Sequence, residues 1–186
     1  RKYPRPDGGF FSKTQIIAGF RALAHEVQWS VPEAEFLDLL KMKPMRTQSG
    51  VVPVTVLTKP YPCPGQCIFC PNDVRMPKSY LSDEPGAQRA MLNRFDPYAQ
   101  TWNRLLAFYR MGHAVEKVEL LILGGTWSAY PRSYQLHFVT RCFEAINDFG
   151  AAADPELYAS PENGRPDFLD LAHLNDMAPN EDEAFN

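Results

Sequence analysis

The chain has 186 residues, 45% of them apolar, with four cysteines and a net charge of −3. That supports one sizeable core and is too little cysteine for a disulfide scaffold. No segment approaches the roughly 20 apolar residues of a membrane helix, and the opening RKYPRPDGG lacks the apolar stretch of a signal peptide.

Charge is unevenly placed: residues 1–60 carry net +4, residues 61–150 net +1 and residues 151–186 net −8. A basic front suits contact with a polyanion, although a solvated surface with an acidic loop gives the same pattern. A compact thiol cluster with an isolated fourth thiol reads as a metal site in a reducing compartment, and a cytoplasmic setting is expected. The chain does not begin with methionine, so Arg1 is not expected to be the natural start.

In chain order, SKTQIIAGFRALAHEV predicts a helix with Ser12 and Gln15 at capping-box spacing and a stripe of Ile16, Phe20, Leu23 and Val27. SVPEAEFLDLLKM repeats the device with Ser30 and Glu33, burying Phe36, Leu37 and Leu40. KMKPMRTQSG follows as an exposed basic connector carrying Lys41, Lys43 and Arg46. VVPVTVLTKP reads as a strand, with Pro53 near its start. DPYAQTWNRLLAFYRMGH is a helix capped by Asp96, with Pro97 at its first position and Gly112 at its stop. Its apolar face is Tyr98, Trp102, Leu105, Leu106 and Tyr109. EKVELLILGGT is a second strand, and PRSYQLHFVTRCFEAINDFG a second long helix with Tyr134, Phe138, Cys142 and Ile146 in one stripe, ended by Gly150. Two strand–loop–helix units in series predict an α/β fold with a parallel sheet. The stretch after Gly150 is acidic and proline-rich, with one amphipathic piece, PDFLDLAHL. The domain reading is a helical region with its basic connector at 1–49, the α/β part at 50–150 and an acidic connector at 151–186.

Three of the four cysteines stand in KPYPCPGQCIFCPND, spaced C-x3-C-x2-C as Cys63, Cys67 and Cys70. A structural zinc site and a ferredoxin cluster both want a fourth ligand. Cys142 lies in an apolar helical stripe and reads as an inert core thiol. Three thiolates on an iron–sulfur cluster leave one iron open to chelate a small molecule. At the end of the second strand Gly124, Gly125 and Thr126 offer backbone without a Cβ in the way, although a tight strand-to-helix turn also explains the glycines.

The C-x3-C-x2-C loop with Phe69 before its last cysteine, followed by the LILGGT strand, resembles the radical S-adenosylmethionine superfamily. KPMRTQSGVVPVTVLTKPYPCPGQCIFCPND, SYLSDEPGAQRA, RFDPYAQTWNRL and GHAVEKVELLILGGTWSAYP more narrowly resemble the catalytic subunit of the elongator complex and its bacterial and archaeal counterparts. The resemblance spans residues 10–150. It implies an enzyme that transfers an acetyl-CoA-derived group to C5 of the wobble uridine of tRNA, giving carboxymethyluridine. It implies a 4Fe–4S cluster on Cys63, Cys67 and Cys70, and S-adenosylmethionine against Gly124, Gly125 and Thr126, split to a 5′-deoxyadenosyl radical. Acetyl-CoA is the implied co-substrate, contacted by Lys117, which otherwise reads as a solvated lysine starting a strand. The connector Lys41, Lys43 and Arg46 is expected to meet tRNA phosphates, and Arg75, Lys78, Arg89 and Arg94 to extend that surface, although EPGAQRA reads equally well as a structural element. The implied fold is a helical region plus the first two βα units of a partial (β/α) radical S-adenosylmethionine barrel. A complete barrel takes about 200 residues or more, so the chain is expected to stop before the third strand, without the acetyltransferase-like domain. A homodimer is an option, no membrane is involved, and the electron donor stays unassigned. The competing expectations are a non-catalytic tRNA-binding module holding zinc and a radical enzyme with another substrate.

Overall fold

The computed structural model describes residues 4–24, 26–71 and 73–158. The acidic piece around 166–174 and the closing NEDEAFN lie outside the described residues. The chain divides into two units, Arg1–Pro53 with Leu105–Val118, and Val54–Arg104 with Glu119–Asn186.

In the first unit, α1 (Lys13–Leu23) begins as its sequence predicts. Ser12 Oγ accepts from the Gln15 N–H at 3.2 Å and Gln15 Oε1 accepts from the Ser12 N–H at 2.9 Å, so two orphan donors are satisfied reciprocally. The inward face differs from the predicted stripe. Ile17 and Phe20 are buried, whereas Ile16 and Leu23 are exposed and Val27 lies beyond the helix. Helix α2 (Glu33–Leu40) starts without the Ser30–Glu33 box, because its N-cap is Pro32. A residue preceding proline is kept out of the helical region, so Val31 cannot be a first helical position and Ser30 is left two residues too early. Phe36, Leu37 and Leu40 are half-buried rather than buried. Phe20 stacks on Phe36 with ring centroids 4.2 Å apart, and Trp29 leans on Phe20 at 4.9 Å. A 3-10 turn follows at Pro44–Thr47. His113, 1% exposed, holds this segment at two points. Its Nε2 lies 2.8 Å from the Met42 carbonyl and its Nδ1 2.7 Å from the Thr47 hydroxyl. A carbonyl only accepts, so Nε2 carries a proton and donates to Met42 O.

Strands β1 (Val52–Leu57) and β2 (Val118–Leu123) form a two-stranded sheet. The first unit has the Val52 N–H donating to Lys117 O, and the second has the Thr58 N–H donating to Leu123 O. Both strands advance by six residues between these bonds, so they run parallel. The expected α/β organisation is therefore borne out as helices with a small parallel sheet.

In the second unit, α3 (Pro85–Leu92) was not foreseen. Proline at its first position suits a helix start, and its inward residues are only Ala87 and Ala90, which pack with Leu57 and Met76. Helix α4 (Pro97–Arg110) is capped as predicted, with Asp96 Oδ1 accepting from the Ala99 N–H at 2.6 Å. Burial raises the Asp96 carboxyl above the usual range. Gln100 on α4 mimics a neighbouring strand: its Oε1 accepts from the Leu57 N–H and its Nε2 donates to Leu57 O, both at 2.9 Å. Helix α5 (Arg132–Ala151) buries Tyr134, Phe138, Cys142, Ala145 and Phe149, with Ile146 only half-buried. Gly150 does not end it; the helix runs through to Ala151 and stops where Ala152 turns extended. A short α6 (Pro155–Tyr158) follows.

Candidate functional site

Beyond β1 the backbone is pinned before it reaches the cysteines. The Lys59 N–H donates to the Tyr134 hydroxyl at 3.0 Å, and the Tyr130 hydroxyl donates to Lys59 O at 2.8 Å. The loop itself is turned by Gly65 and by a Cys70 N–H to Cys67 O bond of 3.2 Å. A Cβ placed on Gly65 would lie 3.5 Å from Cys63 Sγ and 3.7 Å from Cys67 Sγ, at ordinary contact distance, so both sulfurs stand beside this position. Cys70 Sγ accepts from the Ser79 N–H at 3.2 Å, where Ser79 takes a φ of 78°.

The second side comes from the end of β2. Thr126 Oγ1 lies 3.2 Å from Cys63 Sγ. Cys63, Cys67, Cys70, Gly124, Gly125 and Thr126 all line one cavity of about 510 Å³, together with Gly65, Gln66, Lys78 and Ser79. Six predicted residues from two segments are thus brought together. Among the described residues no group of three His, Cys, Asp or Glu is disposed to hold a single metal ion. The three thiols share a cavity without converging on one point.

Electrostatics separate the thiols. Hydrogen bonding from the Thr126 hydroxyl, then the Gly65 N–H, lowers the Cys63 thiol, and the Lys78 charge adds to this. Cys142 behaves oppositely: fully buried, with Sγ 3.9 Å from the Pro97 carbonyl, it is pushed up to about 11 by burial. The reading of Cys142 as a core thiol agrees with this environment.

The glycines are not equivalent. Gly124 has φ 155°, and a Cβ there would sit 1.9 Å from Thr58 Oγ1, whereas a Cβ on Gly125 would meet nothing nearer than Lys78 Cβ at 3.6 Å. Lys117 is exposed, precedes β2 and does not line the cavity. In the first unit Lys43 and Arg46 are exposed, as expected of the connector, but Lys41 is half-buried and pairs with Asp38 at 2.6 Å. Arg75 is engaged with Asp73 through two 3.0 Å bonds, and the guanidinium holds that carboxyl down at about 2. Lys78 lines the cavity. Sequence reasoning missed Ser79 and Tyr130, whose partners are set by packing.

No family model matches the sequence. The chain is 37% identical over 182 residues to a tRNA uridine(34) acetyltransferase of Methanocaldococcus jannaschii, covering 88% of this chain and 34% of that protein. It is 45% identical over 143 residues to the protein of the same name in Dehalococcoides mccartyi, covering 71% and 31%. Similarity to Elongator complex protein 3 of Saccharomyces cerevisiae is 33% over 163 residues, covering 76% and 29%. The chain spans about a third of the length of the curated relatives it matches.

Proposed function

We propose, on the premise that relatives named tRNA uridine(34) acetyltransferase and Elongator complex protein 3 support that family for this chain, that it carries the radical S-adenosylmethionine site of a wobble-uridine tRNA-modifying acyltransferase. The observation that carries this reading is the shared cavity: Cys63, Cys67 and Cys70 on one side, Gly124, Gly125 and Thr126 on the other. The donor set fits a 4Fe–4S cluster better than a lone ion, because cluster ligands bind separate irons and stand apart, while zinc draws its ligands to one centre. When bound, such a cluster supplies the electron that splits the sulfonium of S-adenosylmethionine.

The residues of the chain bind and orient. Thr126, in hydrogen bond with Cys63, favours the thiolate that iron requires. Gly125 leaves backbone open towards the cavity for the amino group of the ligand. The site stands at the C-terminal ends of β1 and β2, where barrel enzymes place their chemistry, and the two βα units are read as the start of a partial (β/α) barrel. Lys43 and Arg46 are read as tRNA phosphate contacts and Lys117 as a contact for acetyl-CoA. Since the chain spans about a third of its relatives' length, the reading concerns the site it carries rather than complete turnover.

Anaerobic reconstitution with iron and sulfide tests it. About four irons and four sulfides per chain are expected, with an EPR signal of the reduced cluster that changes on adding S-adenosylmethionine. One tight zinc per chain, or a cluster indifferent to S-adenosylmethionine, would sink the reading.

A further inference from the structure

Tyr130 lies between the two sides of the cavity without lining it. The residue is 4% exposed, stacked against Tyr134 at 5.1 Å and beside Tyr61 at 4.8 Å, so its ring has one position to occupy. Its hydroxyl donates to Lys59 O at 2.8 Å and lies 2.7 Å from Thr58 Oγ1. Its backbone belongs to the turn that follows Thr126, closed by the Ala129 N–H donating to Thr126 O at 3.0 Å and the Tyr130 N–H to Trp127 O at 3.2 Å. A phenol has one proton to give and two lone pairs to fill. With its proton on Lys59 O, the Thr58 hydroxyl must be the donor in the other bond. Both bonds fall on the segment leading to Cys63, while the ring is rooted in the turn after Thr126. The same Thr58 is the residue over which Gly124 has no room for a Cβ. One side chain rooted after β2 therefore holds the end of β1, where each segment leaves the sheet for the cavity.

We propose that Tyr130 is a positioning residue: it sets the spacing between the cysteine loop and the Gly124–Thr126 backbone, and so the registration of a ligand held by the glycines against the group held by the cysteines. The second half of that statement rests on the function proposed above; the first half does not. Tyr134 supplies the contrast. Its hydroxyl accepts from the Lys59 N–H and is buried in the same ring stack, but the bond reaches the cysteine side alone.

The test compares Tyr130→Phe with Tyr134→Phe in the full chain. Backbone hydrogen exchange, read by mass spectrometry, should rise about tenfold or more in Tyr130→Phe at both 57–62 and 122–128, since buried groups lose their partner, with α5 unchanged. Tyr134→Phe should raise exchange at 57–62 only. No rise at 122–128 in Tyr130→Phe, or an equal rise in both variants, overturns the proposal. If Tyr130→Phe does not fold, Thr58→Ala removes one of the two bonds, and the contact of Thr58 with Gly124, and must still raise exchange at 122–128, or the proposal falls. After anaerobic reconstitution, Tyr130→Phe should keep wild-type iron content yet need about tenfold more S-adenosylmethionine for the same EPR change. An unchanged requirement overturns the registration role. Failure of the wild-type chain to assemble a cluster counts against the functional reading alone, and the exchange data decide the positioning role by themselves.

Discussion

At the scale of single residues, the paired glycines divide into two jobs. Taken from the sequence, both invite a ligand to approach the backbone. Gly124 instead answers an internal demand, because Thr58 Oγ1 stands 1.9 Å from where its Cβ would be. That hydroxyl is fixed by Tyr130 and cannot swing aside without giving up its bond. Gly125 has ordinary clearance at 3.6 Å, so the approach of a ligand is its concern. Gly124→Ala is therefore expected to destabilise the fold by at least about 2 kcal/mol, from overpacking together with the unfavourable φ. Gly125→Ala should stay within about 1 kcal/mol of wild type and act on S-adenosylmethionine binding instead. Denaturant midpoints of the two variants separate these cases; equal losses would return both glycines to a single structural role.

Among the elements, the basic connector carries the charge that its composition announces, but not evenly. Lys43 and Arg46 are exposed, while Lys41 spends its charge on Asp38. Each phosphate neutralised contributes about 0.7–0.9 to the slope of log affinity against log salt. Lys43→Ala with Arg46→Ala should thus flatten the slope for tRNA by about 1.5, whereas Lys41→Ala should change it far less. Titration by fluorescence anisotropy at several salt concentrations gives the slopes, and a larger effect from Lys41→Ala would reverse the assignment. Local chemistry made much of the fold legible. Ser12 with Gln15, and Asp96 with Pro97, start helices where the sequence puts them, because a cap needs only neighbours a few residues away. Pro32 defeated the same logic at α2 by barring helical backbone from Val31. Helix α3 was hidden because Ala87 and Ala90 bury a face too small to register as an apolar stripe. In the site, the cysteine spacing and the glycine pair could be read directly. Tyr130 could not, since its partners Thr58 and Lys59 are more than 70 residues away in sequence and no periodicity records such a contact.

For the whole molecule, charge rather than packing governs the approach of a polyanion. The chain carries −3 in all, but residues 159–186 hold seven acidic side chains and one basic, so a chain ending at Tyr158 would carry +3. A polyanion approaching the basic front senses that total within a Debye length, about 10 Å at 0.1 M salt and 30 Å at 0.01 M. Long-range repulsion from the acidic stretch should therefore slow tRNA association at low salt and fade as salt rises, whatever conformation those residues take. Removing residues 159–186 is expected to raise tRNA affinity several-fold at about 0.02 M salt and to make little difference near 0.5 M, where screening shortens the reach of the field below a side-chain length. The gain should appear chiefly in the association rate, because steering acts before contacts form. Stopped-flow association at both salt concentrations provides the measurement. A gain that persists at high salt would mean that the acidic stretch occupies the RNA-binding surface directly, as a competitor rather than as a distant charge.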